Sequence, residues 1–456
     1  MKCFPFKLPG LKSFATFNGT SRDKRDGNPL SKKTINEQMG DGRKGVKMIE
    51  PTPIVGYCTN VHAGINVDAI LGSLRTHAYA VRQSLAQSSL PVGLWFSESA
   101  VREALEPANL ERIRHDLKEM GLVPYTFNGF PQGDFHSAVV KHRVYLPTWW
   151  EPSRLQYTRD LVQLLDLLLE KGRFGSISTL PIAWGSPQPT QDQWRAAADQ
   201  LLALAEDLHR LYESTGRRIV LALEPEPGCA ITDTPSLRRF YIDHLSERTL
   251  GASRAELART YITMCHDVCH AAVMAEDQQA ELTACRSEGI RIGKVQISSA
   301  IRVAWNKIDS EGRVAALQEL GQFAEDRYLH QTLIRYSDGT TQLVEDLPGL
   351  LSDISGPDDQ RMLKEWRIHF HVPIDITSWG RIESTQNEID RFLDLMMERK
   401  DFGSPEMHLE VETYAWGVLP ESLREPHLHQ GIARELQWLH GRLKAKVQPT
   451  GFEHHA

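Results

Sequence analysis

Several short apolar runs in this 456-residue chain stop on side chains that ligate metals or move protons. Ile219-Val220-Leu221-Ala222-Leu223 runs into Glu224-Pro225-Glu226, and Tyr261-Ile262-Thr263-Met264 into Cys265-His266-Asp267-Val268-Cys269-His270. Lys294-Val295 leads to Gln296, Arg367 into His369-Phe370-His371, and Leu409 to Glu410-Val411-Glu412. Two carboxylates from separate segments, an Asp and an amide or imidazole can converge on one divalent cation. Oxygen-rich sets favour Mg²⁺ or Mn²⁺, and added imidazole tilts the set towards Zn²⁺, Co²⁺ or Fe²⁺. One such Glu alone is most often a solvated or ion-paired carboxylate. Several coincident run ends make ligation the better reading.

The spacing leaves some choices open. Glu226 shares strand parity with Glu224, and Glu410 with Glu412. Glu224 comes straight off its apolar run and Glu412 begins the polar Glu-Thr-Tyr end, which favours those two. Gln296 and His371 compete for one ligand place. A structural zinc site at Cys265, His266, Cys269 and His270 is the weaker reading. No second Cys/His pair completes it, and strand alternation puts residue 266 opposite 265 and 267. The two cysteines read better as small buried hydrophobes.

These residues need a frame to bring them together. Strand candidates are Ile54–Thr59, Val92–Phe96, Val123–Phe127, Phe174–Leu180, Arg218–Glu224, Tyr261–Asp267, Arg291–Ile297, Trp366–Val372 and His408–Thr413. Their near-continuous apolar character suits parallel strands covered on both faces. Helices alternate with them: Asn109 is positioned to cap one ended by Gly121, and Thr190 with Gln193 forms a capping box before a helix reaching Gly216. Thr385 with Glu388 repeats the box pattern. Strand–helix alternation over about eight units predicts a single (β/α)8 barrel, with chemistry at the C-terminal strand ends. No Gly-x-Gly-x-x-Gly follows the first strand, which disfavours a doubly wound dinucleotide fold. Nine candidates must fit eight places, and the strand ends near 296 and 371 lie 75 residues apart. An insertion at about 297–365, or a strand outside the barrel, accounts for this.

Composition narrows the function classes. With 52 Lys+Arg against 59 Asp+Glu the formal charge is −7, which argues against nucleic-acid binding by phosphate neutralisation. No run of about 18 apolar residues exists for a transmembrane helix. Six cysteines in so long a chain suggest a reducing compartment, and the expected location is cytoplasmic. Residues 1–47 carry eleven basic and four acidic side chains with few aliphatics, predicting a disordered N-terminal extension before a barrel spanning 48–456. Met48 would serve as an alternative start.

The order of apolar strand ending in Glu-Pro, Asp267-x-x-His270, Val-Gln296-Ile and a late strand ending in Glu resembles the xylose isomerase-like barrel superfamily. That resemblance implies a divalent ion (Mn, Mg, Zn or Co) held by Glu224, Asp267, Gln296 and Glu412, with His270 facing metal or substrate. Gly56-Tyr57-Cys58-Thr59-Asn60-Val61-His62, Phe127-Asn128-Gly129-Phe130-Pro131, Phe135-His136, Lys141 through Trp149, Leu329-His330-Gln331 and His369-Phe370-His371-Val372-Pro373 resemble the EboE family. Its members are called metabolite traffic proteins. The resemblance implies a small-molecule metabolite and partners among the other Ebo-cluster proteins.

Further candidates for substrate contact are Asn60 and His62 after the first strand, and Asn128 and His136 around the Gly129–Gly133 loop. Arg154 beside aromatics is another, suited to an anionic or planar group. Each has a structural reading as a turn or packing residue, and Lys294 reads as a catalytic or an ion-paired lysine, with pairing the favoured role. Two functions follow. One is a metal-dependent isomerase or epimerase in which Glu224 and Glu412 exchange a proton with carbon and His270 contacts substrate. The other is a non-catalytic metabolite-binding or handover protein. A nuclease fares worst on an acidic chain.

Overall fold

The computed structural model describes residues 53–62, 64–353, 363–398 and 407–447. The expected N-terminal extension at 1–47 and the alternative start at Met48 lie outside them.

Among the described residues fourteen strands are numbered in chain order. Eight close a parallel barrel: β1 (Ile54–Cys58), β2 (Leu90–Leu94), β3 (Leu122–Asn128), β4 (Phe174–Thr179), β5 (Arg218–Leu223), β6 (Ile262–Asp267), β7 (Ile292–Ile297) and β14 (His408–Val411). The ring runs in sequence order, and β1 closes it on β14 with Ile54 opposite His408 and Tyr57 opposite Val411. Val220 to Leu223 in β5 and all of β6 are buried, as strands sealed by helices outside and side chains inside must be. The predicted helix punctuation is present at two sites. Thr190 and Gln193 form the reciprocal box on Gln191–Thr215, and Gly121 and Gly216 end their helices in the left-handed region. Asn109 does not cap. Its helix, Pro107–Met120, begins with Pro at its first position, and the Asn109 amide donates to Glu103 O. Thr385 Oγ1 likewise accepts from Ala300 N, so it is engaged by another strand.

The ninth candidate is not a barrel strand. Chain leaving β7 turns at Ser298 into β8 (Ser299–Val303), which begins a six-stranded second sheet. Its other members are β9 (Thr332–Tyr336), β10 (Thr341–Val344), β11 (Leu363–Val372), β12 (Ser378–Trp379) and β13 (Ile382–Ser384), in order β10-β9-β11-β8-β13-β12. All its pairs are antiparallel. The excursion therefore begins where expected, near 297, and its sheet continues past 365 to Ser384. β11 mimicked a barrel strand because both of its faces are covered, with Trp366, Ile368, Phe370 and Val372 buried on one and Glu365, His369 and His371 on the other. Its register with β8 breaks between Ile368 and Val372, and the freed stretch carries His369 and His371.

Candidate metal centre

Each chemistry-bearing side chain sits at the C-terminal end of a barrel strand or on β11. Glu224 follows β5, Asp267 ends β6, Gln296 is the penultimate residue of β7 and Glu412 follows β14. Asp267, Gln296 and Glu410 are register partners across three adjacent strands. Pro225 cannot donate a ladder bond and stops β5, turning the chain so that both Glu224 and Glu226 remain at the mouth.

Glu224, Asp267 and Glu412 are buried, and each offers an oxygen within 4.8 Å of the other two. Asp267 with His270 and His371, and Glu226 with His270 and His369, meet the same distance limit. His270 Nε2 and His371 Nε2 stand 3.7 and 3.8 Å from Asp267 Oδ2. Donors about 2.0–2.2 Å from one ion lie at most about 4.4 Å apart, so these spacings suit a shared cation.

Hydrogen bonding fixes where the histidine lone pairs point. An imidazole nitrogen that meets a carbonyl oxygen must carry the proton. His270 Nδ1 donates to Pro225 O (2.9 Å), His371 Nδ1 to Glu412 O (2.7 Å) and His369 Nδ1 to Gln331 Oε1 (2.7 Å). Gln331 is held that way round because its Nε2 donates to the Tyr145 hydroxyl (3.1 Å), which itself donates to Glu226 Oε1 (2.8 Å). All three rings then present Nε2 as an acceptor. Burial pushes all three pKa values down, that of His270 to about 4, so the rings are neutral at pH 7. His270 Nε2 and His369 Nε2 face each other at 3.0 Å with no proton between them. Asp267 Oδ2, Glu224 Oε2 and His371 Nε2 are buried without a hydrogen-bond partner.

The carboxylates give the same charge balance. Burial, then Glu412 and Asp267, push Glu224 well above the carboxylate range. Burial, then Asp267 and Glu410, push Glu412 up to about 8, although Asn60 and Asn128 amides both donate to its Oε1 (2.8 and 2.9 Å). Burial also raises Glu226 to about 8. Burial alone would raise Asp267 too, but His270, His371 and a 2.6 Å bond from Ser298 hold it below its ordinary value. An acceptor-only cluster at this density needs protons or a cation. The donor set fits a divalent transition ion. Fixing a ligand ring through its Nδ1–H, as Pro225, Gln331 and Glu412 do, is the outer support such ligands require.

Of the expected site residues, Glu224, Asp267, Glu412, His270, His371, Asn60 and Asn128 come together. Gln296 is the register partner of Asp267 on β6 and of Glu410 on β14, its buried side-chain amide without partners at either atom. Three expected substrate contacts stand elsewhere. His62 bonds the Tyr57 hydroxyl (3.1 Å) and stacks on His77, and His136 packs edge-on against Trp95 and Phe135. Arg154 is fully buried and donates to the carbonyls of Pro147, Gly129 and Phe130, so it clamps the loop after β3. Lys294 is ion-paired with Glu410 at 2.6 Å. His266 turns away to Gln278, and Cys269 lies near His369 and His371 as a thiol that burial pushes above its ordinary pKa. His369 was the missing partner, and its signal was the His-x-His spacing, which puts both rings on one strand face.

Fold and site together define a (β/α)8 barrel with a carboxylate–imidazole cluster at its C-terminal mouth, partly supplied by a second sheet. No protein-family model and no curated protein matches the chain. Among solved structures it is similar to the IolI protein with a bound zinc atom, at 10% identity over 87% of this chain and 100% of that one, TM-score 0.44. It is also similar to a xylose isomerase domain containing protein from Salmonella typhimurium (12% identity, 87% and 99% covered, TM-score 0.42). A third is a xylose isomerase domain protein from Alicyclobacillus acidocaldarius (13% identity, 86% and 99% covered, TM-score 0.40).

Proposed function

We propose that this chain is a divalent-metal-dependent isomerase- or epimerase-type enzyme acting on a small carbonyl or sugar-like metabolite. The carrying observation is the set of buried acceptor atoms without partners, on Glu224, Asp267 and His371, beside the facing Nε2 atoms of His270 and His369. Glu224, Asp267, Glu412 and His371 would hold the ion, with His270 and Gln296 as neighbours. A bound divalent ion supplies Lewis-acid polarisation of a substrate carbonyl or hydroxyl oxygen. With one oxygen on the ion, Glu224 would use the other to take a proton from the adjacent carbon. Asn60 and Asn128 orient Glu412 through Oε1, leaving Oε2 to return the proton on the other side. The buried mouth keeps bulk water from quenching the carbanion-like intermediate.

Metal analysis of the purified full chain tests this. A stoichiometric divalent ion, lost in the Glu224→Ala/Asp267→Ala double variant, is the expected outcome. Metal-free wild-type protein that takes up no added ion would sink the proposal.

A second reading is an EboE-like metabolite handover protein, with the same metal centre, no turnover and partners among Ebo-cluster proteins. The second sheet favours it, since its exposed edge strand β10 offers a place for a partner. Solvent deuterium entering a bound α-hydroxycarbonyl compound favours the enzyme. Tight binding without exchange favours handover.

A further inference from the structure

The cavity over the metal centre has two unlike walls. Its floor is polar: Glu224, Glu226, His270, His369, His371 and Glu412. Its roof is apolar, built from Phe130, Phe135, Val140, Tyr328, Leu329 and Tyr414. These roof residues come from three separate stretches: the loop after β3, the segment before β9 and the turn after β14. Phe135, Val140 and Tyr328, together with Trp95, form a hydrophobic cluster of their own, apart from the barrel core, with Tyr414 packed against it. The Tyr414 ring lies 4.6 Å from the His371 ring and 5.1 Å from that of Tyr328, so the apolar wall begins directly over a floor residue.

Three polar groups in and around the roof are already engaged, which leaves the Tyr414 hydroxyl as its one polar exception. The Tyr328 hydroxyl donates to Phe135 O, Trp95 Nε1 to Pro131 O, and the Lys141 ammonium to Asp346. Tyr145, between roof and floor, donates to Glu226. The lining residues with buried, unpartnered polar atoms are Asn60, Glu224 and His371, all at floor level. A free sugar places hydroxyls on every side, and each one buried against such a roof without a partner costs about 1–3 kcal/mol. A hydrocarbon or aromatic body meets no such penalty.

We propose that the ligand is amphipathic: a vicinal diol or α-hydroxycarbonyl end set on the floor, carried on an apolar body that lies under the aromatic roof. This rests on the metal-centre reading above for the polar end, and it narrows the substrate from sugars at large to compounds with one chelating end.

The test is a calorimetric titration of the full chain, Mn²⁺-loaded and chelator-treated, with 1,2-propanediol, 1,2-hexanediol and D-fructose. Three added methylenes at up to about 0.8 kcal/mol each allow hexanediol a gain of up to about fiftyfold over propanediol, and a gain of about tenfold is expected. Fructose should bind no better than propanediol. Phe135→Gln and, separately, Leu329→Gln should erase the chain-length ratio while metal content stays at the wild-type level. Hexanediol gaining nothing over propanediol, whether both bind equally or neither binds, overturns the inference, as does fructose binding best. A chain-length ratio that persists while Mn²⁺ changes no affinity upholds the apolar roof and counts against the metal centre alone.

Discussion

Two levels of the barrel bury carboxylates, and they are balanced in opposite ways. On β14 the levels are two residues apart. The inner level holds Glu410, paired with Lys294 at 2.6 Å, while Lys294 also donates to Ser178 (3.2 Å). Burial acts to lower the Lys294 pKa, and Glu410 more than offsets that and holds it above its ordinary value. His408, one turn of the strand further in, shares a 2.8 Å bond with Ser176. The mouth level holds Glu224, Asp267 and Glu412 within 4.8 Å of one another beside neutral imidazoles; among the described residues no lysine or arginine is ion-paired with any of the three, and Lys294 acts on Glu224 and Glu412 only from a distance. One level carries its counter-charge in the sequence. The other is complete only with a proton or an ion, and this separates a structural carboxylate from a candidate ligand better than burial does, since both are buried.

Breaking the inner pair has the largest expected effect. Lys294→Met strands a charge at Glu410 and should cost about 3–5 kcal/mol in urea unfolding, while Lys294→Met with Glu410→Leu should recover most of it. Single and double variants of equal stability would erase the contrast between levels. The mouth should respond to ions instead. At a free Zn²⁺ or Mn²⁺ concentration of about one hundred times Kd, wild-type unfolding should shift by about 2.7 kcal/mol. Asp267→Asn should lose that shift and the Lys294→Met/Glu410→Leu protein should keep it. An undiminished shift in Asp267→Asn would move the ion elsewhere.

The smallest effects are opposite pH slopes in chelator-treated protein, each at most about 1.4 kcal/mol per pH unit. Glu412, raised to about 8, keeps in the folded state a proton that the unfolded chain releases near pH 4.5. Its contribution to stability therefore falls as pH rises from about 4.5 to 8, and Glu412→Gln should lessen that slope, with the similarly raised Glu224 and Glu226 supplying the remainder. His408 is pushed by burial, then by Lys294, down to about 3. The unfolded chain takes up a proton below about 6.5 that the folded chain refuses, so stability falls as pH drops from about 6.5 to 3, and His408→Asn should flatten that side. Urea midpoints across pH 4 to 9 read both, and slopes of the same sign would refute the assignment.

The eight barrel strands were legible because parallel strands sealed on both faces read as apolar runs, and the run ends named Glu224, Asp267 and Glu412. Strand parity could not separate Glu410 from Glu412, because both point inward and only depth distinguishes them. β11 passed for a barrel strand for the same reason the others were found, since a strand buried on both faces looks alike in either sheet. That error hid the origin of His369 and His371, which reach the mouth only because an antiparallel sheet folds back over it. Arg154 looked like a substrate contact beside aromatics. Nothing local announces that its guanidinium holds three carbonyls of a loop 24 to 25 residues away in part.

Gly93 on β2 adds a constraint that acts across generations of the sequence. A β-carbon there would stand 1.4 Å from Glu410 Oε1, inside the carboxylate itself. Positions 93 and 410 are therefore linked: a larger side chain at 93 is admissible only if the Glu410 carboxylate swings aside or shortens, and either change loosens its hold on Lys294. A descendant that drops the glycine thus disturbs an ion pair on two other strands, so the route out of this inner arrangement runs through linked replacements rather than one.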